Sequence, residues 1–287
     1  MKQTKANKVW FVTGASRGFG VEVAQVALKR GDFVVATARN PQTVTDALGD
    51  HPNPLAVKLD VTREADAVAA AKLATERFGR IDVLVNNAGY GLLGAVEEAS
   101  AEEVKAQFDT NVFGLLNVTR AVLPLMRKQG GGHVINISSV GGYVSYPGWG
   151  IYCATKFAVE ALSESLSQEL APLGIRSTVV EPGFFRTDFL QNNSMANTQA
   201  RIDAYAATVG EMRSLMADVN QKQPGDPKKF AQVMLTLADS ANPPQRLAVG
   251  TDTVKMVREK NALVESELKQ WMAVSVSTNH GDVKLAA

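Results

Sequence analysis

Val9-Trp10-Phe11-Val12-Thr13-Gly14-Ala15-Ser16-Arg17-Gly18-Phe19-Gly20 opens on an apolar run, closes on three glycines and leads straight into the helical pattern of 18–29. The run is far too short for a signal-peptide core and reads as a first strand. In a strand-to-helix turn each glycine has a mechanical task. Gly14 takes the tight turn, Gly18 lets a ligand approach the backbone, and Gly20 lets the helix pack closely on the sheet. A helix starting there points unpaired N–H groups and its positive end out of the turn, which suits a phosphate. Glycines at this spacing are common in turns, and it is the strand before and the helix after that make them informative.

Apolar β-rich runs and longer helical patterns alternate along most of the chain. Strands read near 9–13, 33–37, 55–59, 83–86, 133–137, 177–180 and 247–250, and helices near 18–29, 63–78, 101–128, 152–171 and 227–238. Several strands are apolar throughout, as strands covered on both faces are. The pattern predicts a doubly wound α/β domain of Rossmann type, with a parallel sheet of about seven strands and helices on both faces. The whole chain, 1–287, reads as one such domain. Residues 187–225 interrupt the alternation. There Ile202, Tyr205, Val209, Met212, Met216 and Val219 recur at steps of three and four, which predicts an amphipathic helix and, over the site, a substrate lid. From Ser275 the periodicity fades, and 275–287 reads as a frayed tail.

Composition narrows the function. Thirty basic against 29 acidic side chains leave a net charge of +1, so no overall field draws in nucleic acid or an anionic membrane. Cys153 is the only cysteine, which forbids an intrachain disulfide and fits a cytoplasmic setting. No run approaches the ~20 apolar residues of a membrane span. His51, His133 and His280 stand far apart, so no metal site is expected.

Nucleotide sites of this type place an acidic residue about 20 positions beyond the glycines, on the adenosine ribose. Here that stretch reads Ala36-Thr37-Ala38-Arg39-Asn40, with no carboxylate. Arg39 and Arg17 could instead clamp a 2′-phosphate, which predicts NADP(H); either arginine alone reads equally well as a solvated surface charge. Tyr152 and Lys156 lie four residues apart on a predicted helix and so share a face. A free tyrosine has a pKa near ~10, and an adjacent ammonium favours its phenolate. The pair is therefore a candidate acid/base. Asn136-Ile137-Ser138-Ser139 ends a strand and brings the Ser139 hydroxyl to the carboxyl edge of the sheet, where open α/β folds bind ligands. Asn86-Asn87-Ala88-Gly89 ends another strand, and Asn111 is a polar residue inside a long helix, where it reads either as functional or as a satisfied buried group. Cys153 points about 100° from Tyr152 around the helix and reads as a packing residue.

With these motifs in order, Thr13–Gly20, Asp60-Val61, Asn86–Gly89, Asn111, Ser139, Tyr152–Lys156 and Pro182-Gly183, the chain resembles the short-chain dehydrogenase/reductase family over about residues 8–250. The resemblance implies that Tyr152 donates or accepts the proton and that Ser139 stabilises the substrate oxygen. It implies that Lys156 holds the nicotinamide ribose and lowers the tyrosine pKa, and that Asn111 helps relay protons from Lys156 through water. It further implies that Gly14, Ser16, Arg17, Gly18, Phe19 and Gly20 cradle the dinucleotide and that Asp60 and Val61 border the adenine. Asn87, Ala88 and Gly89 would line a ribose, and Thr187, following Pro182 and Gly183, would contact the carboxamide. A homodimer or homotetramer built partly on the helices of Asn111 and Tyr152 is also implied.

The expectation is an NADP(H)-dependent oxidoreductase that interconverts a carbonyl and an alcohol. Phe184, Phe185, Phe189, Tyr143, Tyr146 and Trp149 suggest an apolar substrate pocket, although aromatics there also suit core or interface. A sensor that binds NADP(H) without turnover is the alternative, and the intact Ser139, Tyr152 and Lys156 set argues against it. An epimerase or dehydratase of sugar nucleotides would need a larger C-terminal domain than the residues after Glu181 allow.

Overall fold

A computed structural model describes residues 7–49, 51–191 and 194–280. Seven strands form one parallel sheet: β1 (Val9–Val12), β2 (Phe33–Ala38), β3 (Pro54–Lys58), β4 (Val83–Asn86), β6 (Gly132–Ile137), β7 (Ile175–Pro182) and β9 (Arg246–Val249). Their order is β3-β2-β1-β4-β6-β7-β9. The chain winds outward from β1 to one edge and then from β4 to the other. Doubly wound sheets bind ligands at such a reversal point, here the cleft between the carboxyl ends of β1 and β4.

Side-chain alternation along β1 shows how both faces are filled. Trp10 and Val12 enter one core with Val23 of α1 (Gly18–Lys29), Val44 of α2 (Pro41–Leu48) and Phe230 and Met234 of α8 (Pro227–Asp239). Val9 and Phe11 enter the other, with Ala70 of α3 (Glu64–Phe78), Val118 and Val122 of α5 (Gly114–Gln129) and Leu170 of α6 (Gly150–Leu170). All the central strands are thus covered on both sides, as their unbroken apolar runs require.

Four features depart from the sequence expectation. The helix expected over 101–128 is α4 (Ala101–Phe108), then a π-helical turn at Asp109–Phe113, then α5. Helix α2 was not foreseen, although Asn40 caps it and Pro41 occupies its first turn. Two short strands, β5 (Gly91–Leu93) and β8 (Met195–Asn197), pair in parallel outside the main sheet. Finally, α9 (Thr251–Ser275) continues the chain as a long helix, followed by a 3-10 turn at Val276–Thr278. Of the tail expected to fray over 275–287, Ser275 ends α9, Val276–Thr278 form the 3-10 turn, and 281–287 lies outside the described residues. No helix among the described residues is long and apolar enough to cross a membrane.

The amphipathic segment of 187–225 is present, but only its second half is α-helical. A 3-10 turn (Asp203–Tyr205) and a π turn (Ala206–Gly210) lead into α7 (Glu211–Val219). Val209 and Met216 are buried, and Met212 and Val219 pack with Met216 against Leu93, Trp149 and Leu190, so the predicted face is the one that docks.

Candidate active site

Loops after β1, β4, β6 and β7 enclose one cavity of about 660 Å³. On its nucleotide side, Gly14 and Gly18 hold φ of +63° and +55°, in the left-handed region that only glycine adopts cheaply. A Cβ on Gly20 would fall 2.3 Å from the Gly14 carbonyl oxygen, so α1 reaches the turn this closely only because residue 20 is glycine. The turn is braced from β4. Thr13 Oγ1 accepts from the N–H groups of Asn87 and Ala88, both at 2.9 Å, and the Asn87 amide donates to the carbonyls of Thr13 (2.9 Å) and Gly14 (3.1 Å). Thr13, the first residue of the glycine motif, thus has a bracing role that the sequence alone does not show.

Helix α1 starts at Arg17 with no side-chain cap and no acidic residue in its first turn. Its leading N–H groups and positive dipole end are thus left for an anionic ligand, and the cradle fits a pyrophosphate. Ser16, Phe19, Asp60, Val61 and Gly89 line the same cavity, as do Pro182, Gly183 and Thr187. Asp60 accepts from Thr62 N–H (3.0 Å) and Oγ1 (2.7 Å), which shapes the loop into α3. Arg17 and Arg39 are exposed on the cavity wall, and no carboxylate ends β2.

The catalytic candidates meet on the opposite side. Ser139 Oγ accepts from Gly141 N–H at 3.0 Å and lies beside the Tyr152 ring on the cavity wall. One helical turn on, Lys156 donates from Nζ to the Ile137 carbonyl at 2.9 Å, with Nζ 5.8 Å from the Tyr152 ring centre. Burial pushes Lys156 down to about 8, opposed by the Glu160 carboxylate. Burial pushes the Tyr152 phenol up, and the neighbouring Ser139 hydroxyl only partly offsets it. In this arrangement burial is the dominant influence on Tyr152, and the Lys156 ammonium is bonded to the Ile137 carbonyl. The ring is enclosed by Trp149 and Phe189, whose ring centres lie 5.5 and 5.7 Å away, while the ammonium faces a backbone carbonyl.

Asn111 and Gly20 stand behind the cavity wall rather than in it. The Asn111 side chain accepts from Tyr90 N–H (3.1 Å) and donates to the Tyr90 carbonyl (2.9 Å) and Thr155 Oγ1 (3.1 Å). It ties the β4–β5 loop to α6 from the π turn, a distortion common at functional sites. Much of the remaining wall is apolar, with Asp188, Ser194 and Gln223 also on it. Trp149, Phe184, Phe189, Leu190 and Met195 line it beside Tyr152. Tyr143 instead hydrogen-bonds Asn261 of α9, and Phe185 also packs into the core against Phe19 and Phe230. Cys153 is buried in the same apolar cluster, as a packing residue should be.

One anchor had no signal in the sequence. Glu98 accepts from Arg213 of α7 (2.7 Å) and from the N–H groups of Ile202 and Ala95 (2.9 and 2.8 Å). These bonds hold the 187–225 segment across the apolar end of the cavity and lower the Glu98 pKa to about 2, with the Arg213 hydrogen bond the largest cause.

Comparison with known proteins agrees with this geometry. The short chain dehydrogenase family matches residues 8–198. The chain is 37% identical over 273 residues to oxidoreductase BOA17 of Botryotinia fuckeliana, covering 94% of this chain and 99% of that protein. It is 38% identical over 244 residues to a 3-ketodihydrosphingosine reductase of Bacteroides thetaiotaomicron, covering 85% and 88%. The crystal structure of a short-chain dehydrogenase from Streptomyces avermitilis matches with a TM-score of 0.89 at 42% identity, over 96% of this chain and all of that one. The chain belongs to the short-chain dehydrogenase/reductase family. It is an oxidoreductase acting between CH–OH and C=O, in a family that binds NAD(P)(H).

Proposed function

We propose that the protein reduces an apolar ketone or aldehyde, or oxidises the matching alcohol, with NADP(H) as its cofactor. The observation that carries this reading is the meeting of Ser139 and Tyr152 at the inner wall of a largely apolar cavity, one helical turn from a buried lysine. The bound nicotinamide supplies or accepts the hydride. Ser139 donates a hydrogen bond to the substrate oxygen and fixes it beside the Tyr152 hydroxyl. Tyr152 passes its proton to that oxygen in reduction and takes it back in oxidation. The Lys156 ammonium stabilises the phenolate left behind, and Asn111 holds the turn beside it.

Arg17 and Arg39, with no carboxylate at the end of β2, support NADP(H) over NAD(H). Trp149, Phe189 and Leu190 support an apolar substrate, and the keto substrate in the name of the Bacteroides relative is of that kind. The test is NADPH consumption with a panel of aliphatic, aromatic and long-chain ketones, followed by alcohol oxidation with NADP. Tight NADPH binding with no turnover on any carbonyl would refute the enzymatic reading and favour a cofactor sensor.

A further inference from the structure

Two carboxyl groups are buried directly behind the catalytic wall. Glu160 lies one turn along α6 from Lys156, and Glu181 sits in β7 immediately before Pro182; they are 5% and 2% exposed. Both face the same Arg246 guanidinium, and the Glu160 carboxylate is one of the charges acting on Glu181. Yet Oε1 of each has no hydrogen-bond donor among the described residues. Two ionised carboxylates are acceptors only and repel each other, so neighbours buried this deeply are held best with one proton between them.

The groups around the pair are few. Ser138, the neighbour of Ser139, faces Glu160 from the end of β6. Arg246 of β9 places Nε 3.2 Å from Glu160 and 3.8 Å from Glu181, and turns its other arm to Glu164 of α6 at 2.6 Å. Lys156 faces Glu160 from α6 itself. One guanidinium is thus spread over three carboxyl groups. A buried acid pair of this kind is poor value for stability, since apolar side chains of similar volume usually hold a fold as well or better. Each member, however, is joined to a residue of the cavity: Ser138 to Ser139, Glu181 to Pro182, and Glu160 to Lys156 through one helical turn.

We propose that Glu160 and Glu181 share a single proton and act as positioning residues that keep the Lys156 ammonium charged through neutral pH. The inference rests on the role given to Lys156 above. Burial drives Lys156 down to about 8 while Glu160 opposes the fall. Burial and the facing Glu160 carboxylate push Glu181 up to about 7. Below that pH, Glu181 holds the proton and donates it to ionised Glu160, so the pair carries one negative charge. As the pH rises through about 7 the proton leaves, and a second negative charge appears behind Lys156 just before the lysine would release its own. Proton loss from the pair is answered by proton retention on the lysine.

The test combines nuclear magnetic resonance of the full chain, labelled at glutamate side-chain carboxyls and lysine side-chain nitrogens, with pH profiles of kcat/KM. In the wild type one carboxyl should titrate with its midpoint near neutrality, and Glu181→Gln should abolish that titration. Glu160→Gln should move the Lys156 midpoint, and with it the alkaline limb of kcat/KM, down by about one pH unit, with plateau kcat within about twofold. Glu160→Asp should restore part of the shift. The lysine titration needs no turnover, so it stands even if no carbonyl is reduced. A wild type whose carboxyls all titrate in the ordinary range overturns the shared proton, whether or not the variants fold. A Glu160→Gln protein with the Lys156 midpoint unmoved, or with activity lowered equally at every pH, overturns the positioning role.

Discussion

Tyr152 is a reluctant acid where it stands, because burial raises its pKa and Lys156 is turned toward the Ile137 carbonyl. Tyr152→Phe keeps the ring packed against Trp149 and Phe189 and removes only the transferable proton. Turnover should fall by about 10²–10⁴-fold, while NADPH affinity, read by fluorescence titration, stays within a few-fold; a variant with wild-type kcat would show that another group moves the proton. His133 makes a separate prediction for stability. Its ring is buried, its Nε2 meets Thr178 Oγ1 at 2.9 Å, and burial lowers its pKa to about 4. The unfolded chain takes up the proton first, so this residue's contribution is lost as the pH falls from 6.5 toward 4, by about 3 kcal/mol at full extent. Glu181 titrates in part of the same window with the opposite sign, since its raised pKa favours folding at the acid end. The stability advantage of wild type over His133→Gln in urea therefore isolates the histidine, and it should narrow as the pH falls from 6.5 to 5; a constant difference would mean that the ring charges in place. Sequence alone exposes Tyr152, Lys156 and the three glycines because their partners lie within a turn or two. It exposes neither Glu98 with Arg213 nor Glu160 with Glu181, since only the fold brings those pairs together.

Among the elements, the π turn at Asp109–Phe113 and the 187–225 segment were the hardest to foresee. Asn111 looks like one polar residue in a helix, and nothing nearby in sequence shows that its amide will bond the Tyr90 backbone. Strands β5 and β8 are three residues each, too short to leave a periodicity. The amphipathic face of 202–219 was legible because it is long, yet its anchor was not. Glu98 is covered by the segment but lies close beneath the surface, so the cost of breaking its pair with Arg213 belongs below the range for deep ion pairs. Arg213→Met should destabilise the protein by about 1–3 kcal/mol and speed proteolysis between 187 and 225, raising KM for apolar ketones more than it lowers kcat. Because Glu98 is held at about 2, its contribution is complete above pH 4.5 and is lost only as the pH falls toward 2. Cleavage at the wild-type rate in Arg213→Met, at neutral pH, would mean that packing of Met212 and Met216 alone holds the segment.

At the scale of the whole molecule, the seven-stranded sheet was legible because strands covered on both faces leave unbroken apolar runs. Helix α9 was not, because from Asn261 onward its side chains are exposed and no core stripe marks it. The same architecture brings Arg17, from the turn after β1, and Arg39, from the end of β2, to one wall of the cavity. With a net charge of only +1, the molecule has no general field to attract a dinucleotide, so discrimination between cofactors has to come from local groups. The 2′-phosphate of NADPH adds nearly two negative charges at the adenosine end. A guanidinium can donate to it bidentately, and charge-assisted hydrogen bonds of this kind contribute about 1.5–3 kcal/mol each. One such contact corresponds to roughly ten- to a hundred-fold in affinity. Arg39→Ala should therefore raise the KM for NADPH by about that factor and leave NADH nearly unchanged. Because Arg39 is exposed, added salt should erode NADPH binding in the wild type and lose that selective effect in the variant. Equal kcat/KM for the two cofactors in the wild type, or an Arg39→Ala protein that weakens both alike, would reduce the arginine to a solvated surface charge and leave cofactor choice without a structural cause at the end of β2.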